Sequence, residues 1–262
     1  MPITLRRLLD ITVRIVKISL VSLIAVASLL TVFDNREGIR SAFSNLVETE
    51  NPQGSDEFWA KRILGGGYIL YFRHAERDKY LDVFIYDLLE SNFPPKAEGG
   101  YRLGDKDYFS GAVCLNDRGL IQARAMGEIV NDIALPVESV VVSPSCRARQ
   151  TASIAFGGFD KIAPVLVHRG PYKEDFANHK ADVGKFLAQL KVSPKKNTVV
   201  IAHNDVIDRE IFTNSSGGDS EIYLEEGGFV VISKNSDGTL KLEHEFTNFA
   251  TFSSQHFERP KG

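Results

Sequence analysis

The chain has 262 residues, 43% of them hydrophobic and 25% charged, with a formal net charge of −3. That balance excludes wholesale disorder and collagen-like architecture. Two cysteines exclude a disulfide-dense mini-scaffold, and no Cys/His cluster has zinc-site spacing. Arg6, Arg7, Arg14 and Lys17 stand against Asp10 at the start, which leaves the remaining chain net acidic. Nothing in that body neutralises a run of phosphates, so nucleic acid is not an expected partner.

The basic start leads into an uncharged apolar run, Ile18–Phe33. It is short for the ~20 residues that span a bilayer, but Ile11–Val16 extends it if Arg14 and Lys17 snorkel to the interface. A signal peptide cleaved at Ala25-Val26-Ala27 and a buried core helix are the alternatives; the run continues past the first and is apolar on every face, against the second. The expectation is an uncleaved anchor over 1–33 with its N-terminus cytoplasmic, since positive charge precedes the run and Asp34 follows it. The body then sits on the periplasmic side of an inner membrane. Residues 34–64 read as a stalk and docking segment, with a short helix at Ser55–Leu64 that Ser55 opens as N-cap. Gly65-Gly66-Gly67 breaks the chain.

From Tyr68 onward, short apolar runs alternate with helical periodicity. Tyr68–Phe72, Ser139–Val142, Val165–Val167 and Thr198–Ala202 read as buried strands. Asn116–Ile133 is predicted helical, capped by Asn116, with Asp117 in the favourable first turn and Leu115 stapled to Leu120. Arg147–Ala155 and Lys180–Lys191 are further helices, the second with Val183, Phe186, Leu187 and Leu190 on one face. Phe229–Ser233 and Leu240–Phe246 form a closing hairpin through Asn235–Gly238. The pattern is α/β, with a mostly parallel central sheet between helical layers, over residues 65–262.

Ligands of such sheets bind at the carboxyl ends of the strands. The first strand ends in Arg73-His74, the second in Ser143-Pro144 with Arg147 beyond, the fourth in His203. A lone His there is more often structural and a lone Arg a surface group. Four such residues at three strand ends make a pocket for a dianion, because guanidinium forks match phosphate oxygens.

Three segments resemble the motifs of the histidine phosphatase (phosphoglycerate mutase-like) superfamily: Arg73-His74-Ala75-Glu76, Ser143–Ala152 (SPSCRARQTA) and Ile201-Ala202-His203. Leu115–Gly127 resembles the first helix of that family, and the similarity covers about Tyr68 to Ser233. The resemblance implies a phosphomonoesterase with no required metal or cofactor, and the expected anchor makes it a membrane-anchored bacterial member. His74 would be the nucleophile and form a phosphohistidine. Arg73, Arg147 and His203 would bind the equatorial oxygens. Relatives place a Glu after the third strand as general acid, which puts Glu174 in that role. Asp175 and Asp205 are its rivals, and a solvated loop face is the alternative for Glu174 and Asp175.

The departures bear on the subfamily. Glu76-Arg77-Asp78-Lys79-Tyr80 lacks the continuation seen in cofactor-dependent mutases, and Glu76 to Cys114 is a long stretch with an amphipathic helix expected around Lys79–Leu89. A phosphoryl mutase and a non-catalytic phosphate-ligand protein are the competing functions. The substrate remains open among phosphorylated small molecules, envelope glycans and phosphoproteins. A Cys-x5-Arg phosphatase loop is excluded, because Leu120 and Ala152 stand where its Arg would be. Asp105-Lys106-Asp107 lies in a charged stretch that reads as solvated loop, and no Walker loop occurs. The helices that follow Cys114 and Cys146 pack near one sheet end in the resembling fold. A bridge between the two cysteines is therefore conceivable in an oxidising compartment, with two separate buried thiols as the alternative.

Overall fold

The computed structural model describes residues 54–78, 114–168, 176–214 and 221–257, and for 176–177 the backbone alone. The expected anchor at Ile18–Phe33 and the expected helix at Lys79–Leu89 lie outside these residues. Among the described residues no helix is long and apolar enough to cross a membrane.

The first element is α1, Asp56–Arg62, followed by a 3-10 turn at Ile63–Gly65. Ser55 opens it by accepting the Phe58 N–H at 3.2 Å. Asp56 and Glu57 in the first turn and Lys61 and Arg62 in the last complement the helix dipole. Its inner face buries Trp59, Ala60 and Ile63 in the main core. At Gly66 (φ +73°) a Cβ would lie 2.2 Å from the Lys195 backbone, so that close approach is open to glycine alone.

Six strands form one sheet in the order β3-β2-β4-β1-β5-β6. They are β1 Ile69–Arg73, β2 Val137–Val142, β3 Lys161–Ile162, β4 Asn197–Ala202, β5 Phe229–Lys234 and β6 Leu240–Phe246. β1, β2, β3 and β4 pair in parallel, whereas β5 is antiparallel to β1 and β6 to β5. The long helices are α2 Asp117–Asp132, α3 Cys146–Ala155 and α4 Phe176–Gln189, and the short α5 is Phe249–Ser254. The sheet is buried on both faces. Leu70, Phe72, Val199 and Ile201 pack with α1, α2, α3 and α5 residues, while Ile69, Tyr71, Val200 and Ala202 pack with Val183 and Leu187 of α4. This alternation explains why the central strands read as continuous apolar runs.

The expected strand at Val165–Val167 is corrected. The third strand is Lys161–Ile162, and Pro164–Leu166 is a 3-10 turn. Pro164 has no N–H to extend the ladder, and its fixed φ suits a first helical position. Leu166 and Val167 are fully buried, which gives the run a strand-like composition without strand geometry.

Because Ile63 is fully buried in the main core, Ile63→Ala in the full chain is expected to cost about 2–5 kcal/mol. Urea unfolding checks it, and an unchanged midpoint would place the Ser55–Gly65 segment outside the cooperative unit.

Candidate active site

Register brings the site together. Phe72 and Val142 both align with Ile201, so β1, β4 and β2 end level and side by side. His203 leaves the middle strand, His74 leaves one neighbour, and Ser143 and Arg147 follow the other. All four are buried. Of the four residues expected at three strand ends, His74, Arg147 and His203 meet in one cluster, and Arg73 lies near enough for its charge to act on His74.

Hydrogen bonds assign the ring states. His74 Nδ1 lies 2.7 Å from the Ala75 carbonyl oxygen, to which it must donate. Its Nε2 accepts from Arg147 Nε at 3.2 Å, so that atom carries the lone pair. Arg147 Nη2 lies 3.3 Å from His203 Nδ1. A guanidinium only donates, so Nδ1 is the acceptor and Nε2–H donates to Ser143 Oγ at 2.9 Å. Ser145 Oγ stands 3.4 Å from the same nitrogen. Tyr71 donates its hydroxyl to the His203 carbonyl at 2.9 Å, and burial pushes that phenol far up. Both imidazoles are held well below the ordinary histidine value, by burial first and by the Arg147 charge second. They are neutral nitrogen bases beside a buried cation.

Arg73 is otherwise engaged. Nη1 donates to the Leu224 carbonyl at 2.5 Å and Nη2 pairs with Glu226 at 2.7 Å. Its charge still acts on His74, as does that of Arg77, and Arg77 acts on His203 as well. Glu226, Arg77, Tyr71 and His168 are neighbours that sequence reasoning missed. The His168 ring meets His203 edge-on at 5.7 Å, and its Nε2 lies 3.1 Å from Asp205. Asp205 therefore joins the cluster through the His168 ring. Glu174 and Asp175 lie outside the described residues.

The remaining motif residues hold the pocket loops. Thr151 Oγ1 accepts the Ala75 N–H at 3.0 Å and donates to the Arg147 carbonyl at 2.8 Å, tying the loop after β1 to α3. Gln150 accepts the Leu115 N–H at 2.7 Å. Gln122 accepts the Glu76 N–H at 2.9 Å and donates to the Glu226 carbonyl at 2.6 Å. Asn116 caps α2 by accepting from Gly119 N–H. A Cβ at Gly119 would lie 1.9 Å from the Glu76 carbonyl oxygen, so α2 can reach the loop only with glycine there. Cys114 and Cys146 are bridged with Cα atoms 4.8 Å apart. The bridge ties the residue before Arg147 to the segment leading into α2.

A family model described as histidine phosphatase superfamily (branch 1) matches residues 109–169. No curated protein sequence matches the chain. Among solved structures, a protein histidine phosphatase SixA complexed with tungstate is similar at 16% identity and TM-score 0.42, over 68% of this chain and 96% of that one. An alpha-ribazole phosphatase from Shigella flexneri is similar at 17% identity and TM-score 0.40, over 67% and 94%.

The lowered histidines predict a pH dependence of stability. Below the ordinary value of 6.5, an unfolded histidine takes up a proton that folded His74 and His203 refuse. Stability is therefore full above that value and lost as pH falls from it toward the lower folded values. The limiting slope is about 1.4 kcal/mol per pH unit for each histidine. His203→Asn is expected to flatten the acid limb of a melting-temperature profile, and a limb parallel to wild type would contradict the assignment.

Proposed function

We propose that the chain is a phosphomonoesterase of the histidine phosphatase superfamily, acting through a phosphohistidine. The observation that carries this is the unprotonated His74 Nε2, 3.2 Å from Nε of the buried Arg147. Nucleophilic attack needs a neutral imidazole, and burial together with Arg147 keeps His74 neutral. Arg147 and His203 then exchange their mutual contacts for the equatorial oxygens of the phosphoryl group. Arg147 spreads the developing charge through its fork, and the His203 ring, with Ser143 fixing one nitrogen, orients a second contact. Arg73 holds the strand end through Leu224 and Glu226 and adds positive field. Water hydrolyses the phosphohistidine and returns His74 to its starting state. The substrate is proposed to be a phosphate ester of the cell envelope, a phosphorylated small molecule or glycan.

His74→Asn is expected to lower phosphate release from 4-nitrophenyl phosphate more than about a hundredfold and to abolish acid-labile phosphoryl labelling of the protein. Retained labelling would assign the nucleophile elsewhere. Arg147→Lys keeps the charge but loses the fork, and is expected to lower kcat/KM by about 2–4 kcal/mol of transition-state stabilisation. Near-normal kinetics would put Arg147 outside the reacting group.

The envelope location rests on the uncharged Ile18–Phe33 run behind Arg14 and Lys17 and on the Cys114–Cys146 bridge, which persists in oxidising compartments. The full chain is expected to stay with membranes through a high-salt wash and to expose protease sites after Phe33 only from the periplasmic side. Release by salt would leave surface adsorption as the account.

A further inference from the structure

The proposed reaction leaves one proton unassigned: the departing alkoxide must acquire it, and none of the groups holding the phosphate is built to give it. His74 and His203 are neutral bases, and an arginine does not release its proton. We propose that His168, oriented by Asp205, is the general acid; this rests on the phosphatase reading above.

Three observations place it. His203 is flanked by two imidazoles, His74 at 5.2 Å and His168 at 5.7 Å, each meeting it edge-on. In an in-line displacement, a residue that grips the equatorial oxygens has the attacking atom on one side and the leaving oxygen on the other. With His74 as the attacking group, His168 is the second ring set against His203 and is assigned the leaving side. Second, His168 Nε2 donates to Asp205 Oδ2 at 3.1 Å, and the pair is partly exposed, 15% and 31%. The carboxylate holds Nε2 and fixes the ring, so the proton transferred is the one on the buried Nδ1. Third, Asp205 borders a cavity of 280 Å³ together with Asn204, Lys180 and Tyr223, which gives the carboxylate an open side. Among the described residues, His203 and His179 also lie within reach of the His168 ring's charge.

The steps balance. As the His74 Nε2–P bond forms and the P–O bond to the alcohol breaks, the His168 imidazolium gives its proton to the leaving oxygen and becomes neutral. Water then attacks the phosphohistidine, His168 accepts the water proton, and the P–N bond electrons return to His74. His168 is the catalytic residue of the pair and Asp205 a positioning residue.

The test uses the full chain and a series of aryl phosphates of one shape, from 4-nitrophenyl to 4-methoxyphenyl, whose leaving oxygens grow progressively more basic. Wild type is expected to show a shallow dependence of kcat/KM on leaving-group basicity. His168→Asn is expected to stay within about fivefold of wild type at the 4-nitrophenyl end and to fall about a hundredfold at the 4-methoxyphenyl end. Asp205→Asn keeps the imidazole and is expected to steepen the same dependence through kcat with little change in KM. Melting temperatures within a few degrees of wild type show that both variants fold. If His168→Asn does not fold, the Asp205→Asn slope decides alone. Equal losses across the series overturn the inference while leaving the phosphatase reading intact, as does a wild-type slope already steep. Absence of both turnover and phosphoryl labelling in wild type overturns the phosphatase reading, and the inference falls with it.

Discussion

A guanidinium taken out of water is costly unless something in the fold answers its charge. Arg147 is 1% exposed and donates to His74 and His203, both neutral nitrogen acceptors. An imidazole nitrogen is a weaker answer to a cation than the doubly charged oxygens of a phosphate ester, whose charge-assisted bonds are shorter and stronger. The same arginine lowers the proton affinity of both rings, so the buried cation also keeps its two acceptors unprotonated.

Holding that arrangement takes the rest of the domain. The parallel β2-β4-β1 register sets three chain exits level, and burial of both sheet faces fixes the register, since a one-residue slip would turn Leu70 and Phe72 to the opposite layer. Thr151 couples the loop after β1 to α3, and Gly119 lets α2 close against Glu76. The Cys114–Cys146 bridge fastens the start of α3 to the approach to α2. Each contact restrains a loop rather than touching the reacting atoms. That is what a site requiring alignment within a fraction of an ångström demands of its supports.

The parts legible in the sequence are those set by local rules. Ser55 and Asn116 cap as their side-chain chemistry dictates, and Leu115 lies against Leu120 beside Ala75 and Ala123. The apolar runs before His74, Ser143 and His203 lie in strands, β-branched and aromatic residues bounded by turn signals suiting strands buried on both faces. Illegible were contacts made by irregular backbone. Glu226 reaches Arg73 from the turn before β5, and no periodicity marks it. The Val165–Val167 run was read by composition as a strand, when Pro164 already argued against a ladder there. His168 directly follows that run. The rule that polar residues at strand ends gather in one place therefore pointed to it, although the element before it is a 3-10 turn.

The pairing of His168 with Asp205 changes how the carboxylates around the site divide their work. A carboxylic acid serving as proton donor must be kept protonated near neutral pH, which calls for burial or a like charge beside it. The Asp205 side chain is 31% exposed and is paired with the His168 imidazole. That pairing gives the donor function to the ring and the orienting function to the carboxylate. The neighbouring Asp208 is 1% exposed and bonded to Lys180, and it caps the 3-10 turn at Arg209–Ile211, so it is committed to structure. Two aspartates three positions apart thus serve different ends. The buried one anchors the loop after β4, and the accessible one aims the ring that faces the leaving group.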